Sequence, residues 1–348
     1  MKLYNLGRVP WLDSQLIYHA LPRLNMEGLI LLAPAEPYVC IGYHQDAEQE
    51  VDLVYCQEHD IPVFRREVGG GAVYLDGQQI FYQLVIHRKH PLSPKDKATF
   101  YQTFLAPVIK TYQDLGVEAH YKPINDIVTT AGRKISGNGA GDIGEYAILV
   151  GNLIADFDYE TMVRVLRVPD AKFRDKVFKS LHENLTTLKR ELGSVPSSES
   201  MTDALVHNFE AVLGPLTPAP LPVAVQDKVL ELAQTHTTDE WLRKPGKRFR
   251  DGRKVRIAEG VEVVQRMHKA PGGLIRATVE MQHGLIVAVG LSGDFFFYPA
   301  DRVADLEQAL TGKELTGVLA VIEGFYQAHG IQSPGVTPQD LAVALGAA

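Results

Sequence analysis

Two stretches of the chain gather residue types suited to holding anions. Residues 65–76 read RREVGGGAVYLD. Glycine loses more freedom on ordering than any other residue, so three in a row belong where backbone must approach something closely. Bare N–H groups in such a turn form an anion-binding concavity, and arginine forks match carboxylate or phosphate oxygens. Strand alternation lets only one of Arg65 and Arg66 face the ligand side of the loop; Arg66 is the expected one. The second stretch, residues 125–162, reads NDIVTTAGRKISGNGAGDIGEYAILVGNLIADFDYETM. In it Lys134 occupies an expected strand that leads through Ser136 and Gly137 into a glycine-rich turn, from which its ammonium could reach a pocket beside the glycine loop.

The elements that must hold these residues follow from periodicity. Leu29–Leu32 and Tyr38–Gly42 read as paired strands split by proline-bearing turn sequence, and IFYQLVI is a further strand. The clearest helix begins near Ser93 and Pro94, repeats apolar residues through Phe100, Phe104, Val108 and Ile109, and stops at Gly116. DIVTT and RKISG form a hairpin around the turn residues AG, and YAILVGNLIAD is a third β segment. Gly139, Gly141 and Gly144 spell G-x-G-x-x-G, with Asp158 further on, but the sequence that follows favours strand. A dinucleotide site needs that motif to open a helix, so the match is set aside. Helices are expected over ENLTTLKREL and TDALVHNFEAVL. The proline-rich GPLTPAPLPV reads as a stiff linker. The expected division is a catalytic domain over 1–213, a linker over 214–224 and a small α+β domain over 225–348, the last built on a strand meander followed by two helices.

Composition narrows the function classes. The chain has 348 residues, is 45% hydrophobic and carries a formal charge of −7. That acidic balance argues against a general nucleic-acid binder, and no apolar run of about eighteen residues is present to span a membrane. The N-terminal sequence lacks the apolar core of a signal peptide. Cys40 and Cys56 are the only cysteines, too few for a disulfide framework or a four-cysteine zinc site, and the histidines lack metal-ligand spacing. A reduced cytoplasmic setting and a monomer are expected. The basic cluster KRFRDGRKVR, Lys247–Arg256, reads as a solvated hairpin face; its functional alternative is attraction of an acidic carrier domain or of ATP.

RREVGGGAVYLD, NDI and GRKISG, in that order and spacing, resemble the signature of the lipoate–protein ligase family within the biotin and lipoate ligase group. YVCIGYHQ and GNLIADFDYETMVRVL are similar to two further family segments. The resemblance implies an α+β fold: a mixed β-sheet catalytic domain of the biotin/lipoate ligase type with flanking helices, plus a small C-terminal α+β domain. It also implies chemistry. Lipoate or octanoate is activated by ATP as an acyl adenylate, then passed to a lysine of a carrier domain. The carriers implied are lipoyl domains of 2-oxoacid dehydrogenase acyltransferase subunits or the glycine-cleavage H-protein. Fixed positive charge and oriented N–H groups lower the cost of pressing two anions together. In this reading Lys134 is an electrostatic clamp, and Arg66 lies near the ligand. Gly69, Gly70, Gly71, Ala72, Val73 and Tyr74 form the loop against adenylate and acyl chain, and Ser136 and Gly137 complete the lysine segment. Asn125 and Asp126 hold nucleotide, with Asp126 the candidate for Mg²⁺. Two positions depart from the family pattern: Leu75 stands where it has histidine, and NGAGDIGEY follows KISG. Rival readings are an ATP-independent octanoyl or lipoyl transferase, which would need an activated cysteine, and a non-catalytic protein that binds lipoyl adenylate or the carrier domain. Biotin ligation fits less well, because the biotin ligase loop is missing from RREVGGG.

Overall fold

A computed structural model describes residues 1–168, 170–244, 255–258 and 261–347. It divides the chain into two compact units. The first comprises Met1–Cys40, Val51–Phe64 and Val73–Thr238, the second Ile41–Glu50, Arg65–Ala72 and Asp239–Ala348. Residues 247–254 of the basic cluster lie outside the described residues. No helix among the described residues is long and apolar enough to cross a membrane.

The first unit is built on a mixed six-stranded sheet in the order Asn138–Ile143, Tyr146–Ile154, Gln79–His87, Gly28–Pro34, Lys2–Val9, Thr217–Pro218. Lys2–Val9 and Gly28–Pro34 run parallel because the helix Trp11–Arg23 carries the chain back between them. The next three steps, towards Asn138–Ile143, are antiparallel. One sheet face packs Tyr82, Leu84, Leu149 and Ala140 against Phe100, Phe104 and Val108 of the helix Lys97–Asp114 and Phe209 of the helix Ser198–Leu213. The four-residue apolar repeat thus buries the face it marked. That helix begins later than Ser93 and Pro94 foretold: Asp96 is its cap, its carboxylate accepting from Ala98 N and Thr99 N at 3.4 and 2.7 Å. Gly116, at φ +95°, ends it.

Several local expectations are corrected. The strands near Leu29–Leu32 and Tyr38–Gly42 do not pair with each other. Gly28–Pro34 joins the large sheet, whereas Tyr38–Ile41 lies between Val63–Arg65 and Val73–Leu75 in a small one. Pro34 and Pro37 bracket the connection, and two residues without N–H donors do not make a tight hairpin. NGAGDI, expected as a glycine-rich turn, is the edge strand Asn138–Ile143, its glycines carried by a ladder to Tyr146–Ile154. The helix Ala171–Asn184 has no buried residue among its described side chains, so no apolar face announced it. The proline-rich stretch runs within the first unit: Thr217–Pro218 pairs with Lys2–Val9, and the helix Val223–His236 follows directly.

In the second unit, Val255–Ala258, Val261–Ala270, Gly273–Gln282 and Leu285–Gly293 form an antiparallel meander. The helices Arg302–Leu310, Val318–His329 and Pro338–Leu345 bury Leu306, Ile322 and Leu341 with the sheet residues Ile275, Val279 and Val289. This is the small α+β body expected at the C-terminus. Residues 41–50 and 65–72 belong to it as well. The His44 ring, 4% exposed, stacks on Phe295 with centroids 5.0 Å apart, and its Nε2 has no hydrogen-bond partner among the described residues. Burial first, and then the Arg65 charge, lower its pKa from 6.5 to about 3.

That shift fixes a sign. Between its folded and unfolded values only the unfolded chain binds the His44 proton, so stability falls as pH drops below the ordinary imidazole range towards 3. Replacing His44 by Phe removes this loss. Chemical denaturation should show H44F gaining on the wild type between about pH 7.5 and about pH 5; an unchanged gap would refute the assignment.

Candidate functional site

Lys134 lies on the short strand Lys134–Ser136, antiparallel to Asp126–Thr129 as the AG turn required. Its ammonium is 2.5 Å from Asp126 Oδ1, both side chains about a third exposed at 36% and 30%. A pair at that exposure stabilises the fold by little, so the ammonium can exchange Asp126 for another anion at small cost. The backbone beneath it has no such freedom. Thr186 N donates to the Lys134 carbonyl at 2.8 Å, and Tyr112 OH donates to the Ile135 carbonyl at 2.6 Å. Ser136 Oγ donates to the Asn152 carbonyl at 2.7 Å, and Gly137 N donates to Asn152 Oδ1 at 2.8 Å. Each residue of K-I-S-G has its own tether.

A buried network joins this strand end to the ND segment. Asn125 and Asn138 bond reciprocally, each amide nitrogen to the carbonyl of the other residue. Tyr82 OH donates to Asn138 Oδ1 and lies 3.1 Å from Ser136 Oγ. Burial pushes both the Tyr82 and the Tyr112 phenol up, which keeps them protonated donors. Register explains how Tyr82 reaches Asn138. Gly151 stands between them on the central strand, paired with both, and the tyrosine side chain crosses its bare backbone. Sequence reasoning named Asn125, Asp126, Lys134, Ser136 and Gly137. It missed Tyr82, Asn138 and Asn152, whose only signal was a polar group within a strand, and Tyr112, a buried phenol in the helix Lys97–Asp114.

The glycine loop belongs to the second unit. Arg66, the arginine expected on the ligand side of the loop, bonds the loop's own backbone: Nη2 donates to Gly69 O at 2.8 Å and Gly71 O at 2.9 Å. Arg65 is fully buried and donates to the carbonyls of Gly42, Tyr43, Trp241 and Leu242 at 2.6–3.1 Å. The glycines permit two close approaches. A side chain on Gly42 would run into the Gly70 carbonyl, and one on Gly69 would meet Phe295 O at 2.9 Å and the Phe296 ring at 3.0 Å. Gly70 also adopts φ +94°, where other residues are strained. Ala72 closes this segment, and Val73 and Tyr74 open the strand Val73–Leu75 of the first unit. Tyr74 is buried, and that burial, with Asp76 and Asp158 nearby, pushes its phenol up to about 12. Leu75, in place of the family histidine, is buried opposite Tyr38.

G-x-G-x-x-G opens no helix: Gly139 and Gly141 lie in the edge strand, and Gly144, at φ +56°, starts the tight turn to Tyr146. Among the described residues no three His, Cys, Asp or Glu side chains gather as a metal site. Mg²⁺ usually takes one or two protein carboxylates and completes its shell with phosphates and water, so a lone Asp126 beside Lys134 is compatible with a nucleotide-borne ion.

The family described as "Lipoyl protein ligase A/B catalytic domain" matches residues 12–210, and the chain belongs to that family. Lipoate-protein ligase LplJ of Bacillus subtilis is 26% identical over 299 residues, spanning 84% of each chain. Octanoyltransferase LipM of Kyrpidia tusciae is 25% identical over 227 residues, 59% of this chain and 82% of the relative. Among solved structures, the bipartite lipoate protein ligase of Thermoplasma acidophilum, described with its E2 lipoyl domain, superposes with a TM-score of 0.63 at 26% identity, over 70% of this chain and 95% of that one. LipL1 of P. falciparum, in complex with lipoate, shares the fold with a TM-score of 0.70 at 14% identity over 95% of each. The protein is thus an enzyme of the lipoate ligase and octanoyltransferase family.

Gly151→Ala tests the crossing of Tyr82. Its methyl group would collide with the Tyr82 hydroxyl and the Asn138 side chain, and overpacking of that kind costs about 1–3 kcal/mol. Urea unfolding should show that loss; an unchanged midpoint would show that Tyr82 does not lie there.

Proposed function

We propose that the protein is an ATP-dependent lipoate–protein ligase. The observation that carries the choice over a transferase is the state of its thiols. Cys40 and Cys56 are both buried, and burial, with Asp52 beside it, pushes the Cys56 thiol up to about 11. A nucleophilic thiol needs the opposite, an accessible position and a lowered pKa. Lys134 supplies what adenylation needs instead: a cation on a tethered strand, partly exposed and paired with Asp126.

In the reaction, a lipoate or octanoate oxygen attacks the α-phosphorus of ATP, and pyrophosphate leaves. The Lys134 ammonium lies against both anions and stabilises the charge that builds between them. Arg66, Gly69–Ala72, Val73 and Tyr74 bind adenylate and acyl chain, with Ser136 and Gly137 completing the lysine segment. Asn125 and Asp126 would face the nucleotide, and Asp126 is the carboxylate that would hold a Mg²⁺ carried in with the phosphates, which would neutralise part of their charge. A lysine amine of the acceptor then attacks the acyl carbon, forming an amide and releasing AMP. The acceptor is a lipoyl domain, the kind of partner described for the Thermoplasma acidophilum ligase.

Intact mass spectrometry of a lipoyl domain, incubated with the full chain, ATP, Mg²⁺ and lipoate or octanoate, tests this. The expected result is an acyl mass gain that requires ATP. It should survive Cys40→Ala with Cys56→Ala, and should fall at least about a hundredfold in Lys134→Ala. Transfer from an acylated carrier without ATP, lost with the cysteines, would instead establish the transferase reading that the LipM similarity favours.

A further inference from the structure

Three buried polar side chains outside the residues assigned above connect Tyr74 to Gly137 through the first unit. Gly137 N donates to Asn152 Oδ1 at 2.8 Å. The amide nitrogen of Asn152 therefore faces away and donates to Gln79 Oε1 at 2.7 Å. The Gln79 nitrogen in turn donates to the Tyr74 carbonyl at 3.3 Å and to Asp76 Oδ1 at 3.5 Å. Asp76 Oδ1 also accepts from Gln78 N at 2.9 Å. Gln79, Asp76 and Asn152 are 1%, 7% and 8% exposed. Asn152 and Gln79 reach each other as diagonal neighbours on paired strands, since Asn152 stands opposite Phe81 and Ile154 opposite Gln79.

The chain of bonds has a direction. Each amide has one donor end and one acceptor end, so the Gly137 N–H sets the orientation of Asn152, which sets that of Gln79, which must then meet acceptors. Tyr74 O and the Asp76 carboxylate are those acceptors. Burying two amides costs desolvation that apolar side chains of the same volume would avoid; what the amides supply in return is orientation. We propose that Gln79 and Asn152 are positioning residues that couple the turn after Tyr74 to the Gly137 amide, and so hold the strand end carrying Lys134. As a statement about activity this rests on the ligase reading; as a statement about the Gly137 amide it does not.

Asn152→Asp reverses one link while keeping the shape. The carboxylate still accepts from Gly137 N, but its second oxygen meets Gln79 Oε1. Gln79 can turn to donate, and its oxygen then faces Tyr74 O and the Asp76 carboxylate, acceptor against acceptor. Asp76→Asn restores a donor at that point. Two readouts are taken on the full chain: acyl-adenylate formation, split into kcat and KM, and hydrogen exchange at the Gly137 amide. Asn152→Asp should lower kcat about tenfold and speed Gly137 exchange, leaving the helix Lys97–Asp114 as protected as before. Adding Asp76→Asn should recover a large part of both losses. Gln79→Met, which interrupts the chain without adding charge, should speed exchange at Gly137 as well, and serves if Asn152→Asp does not fold. Losses that multiply in the double variant, or Gly137 exchange unmoved by both Asn152→Asp and Gln79→Met, would overturn the proposal. Should the wild type form no acyl adenylate, the ligase reading falls, and the exchange results alone decide whether the coupling exists.

Discussion

Four consecutive residues, Lys134 to Gly137, are each bonded to a different part of the first unit, three through backbone groups and Ser136 through its hydroxyl: to Thr186, to Tyr112 and to the main chain and side chain of Asn152. This anchoring is the constraint on which the site depends. A buried backbone group left without a partner carries a substantial desolvation penalty, so the strand end cannot shift without exposing several such groups at once. Among the described residues the Lys134 side chain is held by one partly exposed ion pair, to Asp126. A rigid base with a lightly held cation is the combination that electrostatic catalysis asks for, because the charge is in place before the reaction and need not be reorganised during it.

The six-stranded sheet makes the anchoring available. Its two strands with the most consequential polar residues, Gln79–His87 and Tyr146–Ile154, pair over nine residues. One face of Gln79–His87 sends Tyr82 into the apolar core beside Leu84 and Ile86, while the other carries Gln79 and Gln83. Gly151 is where the demands of the two strands meet. The strand needs continuity there, and Tyr82 needs room, which only a residue without a side chain provides.

The glycine loop follows a related logic with different partners. Arg66 ties the loop to itself through the Gly69 and Gly71 carbonyls, and Gly42, Gly69 and Gly70 allow backbone and aromatic neighbours of the second unit to come closer than a Cβ would permit. Arg65, one residue earlier, spends its guanidinium on four backbone carbonyls. Adjacent arginines thus serve unlike ends, as strand alternation requires.

Sequence by itself determined the helix Lys97–Asp114, the hairpin Asp126–Ser136, the C-terminal meander and the motif residues that lead to the lipoyl ligase family. Those features are written in local periodicity, turn chemistry and short ordered motifs, and they keep their form whatever surrounds them. Tertiary structure decided the rest. Strand partners for Tyr38–Ile41, the strand character of NGAGDI and the grouping of residues 41–50 and 65–72 with the C-terminal body all depend on contacts between residues far apart in the chain. So does the use made of Tyr82, Asn138, Asn152 and Gln79. A lone polar residue in an apolar strand gives no sign of its partner, because hydrogen-bond geometry is settled only when distant strands fall into register.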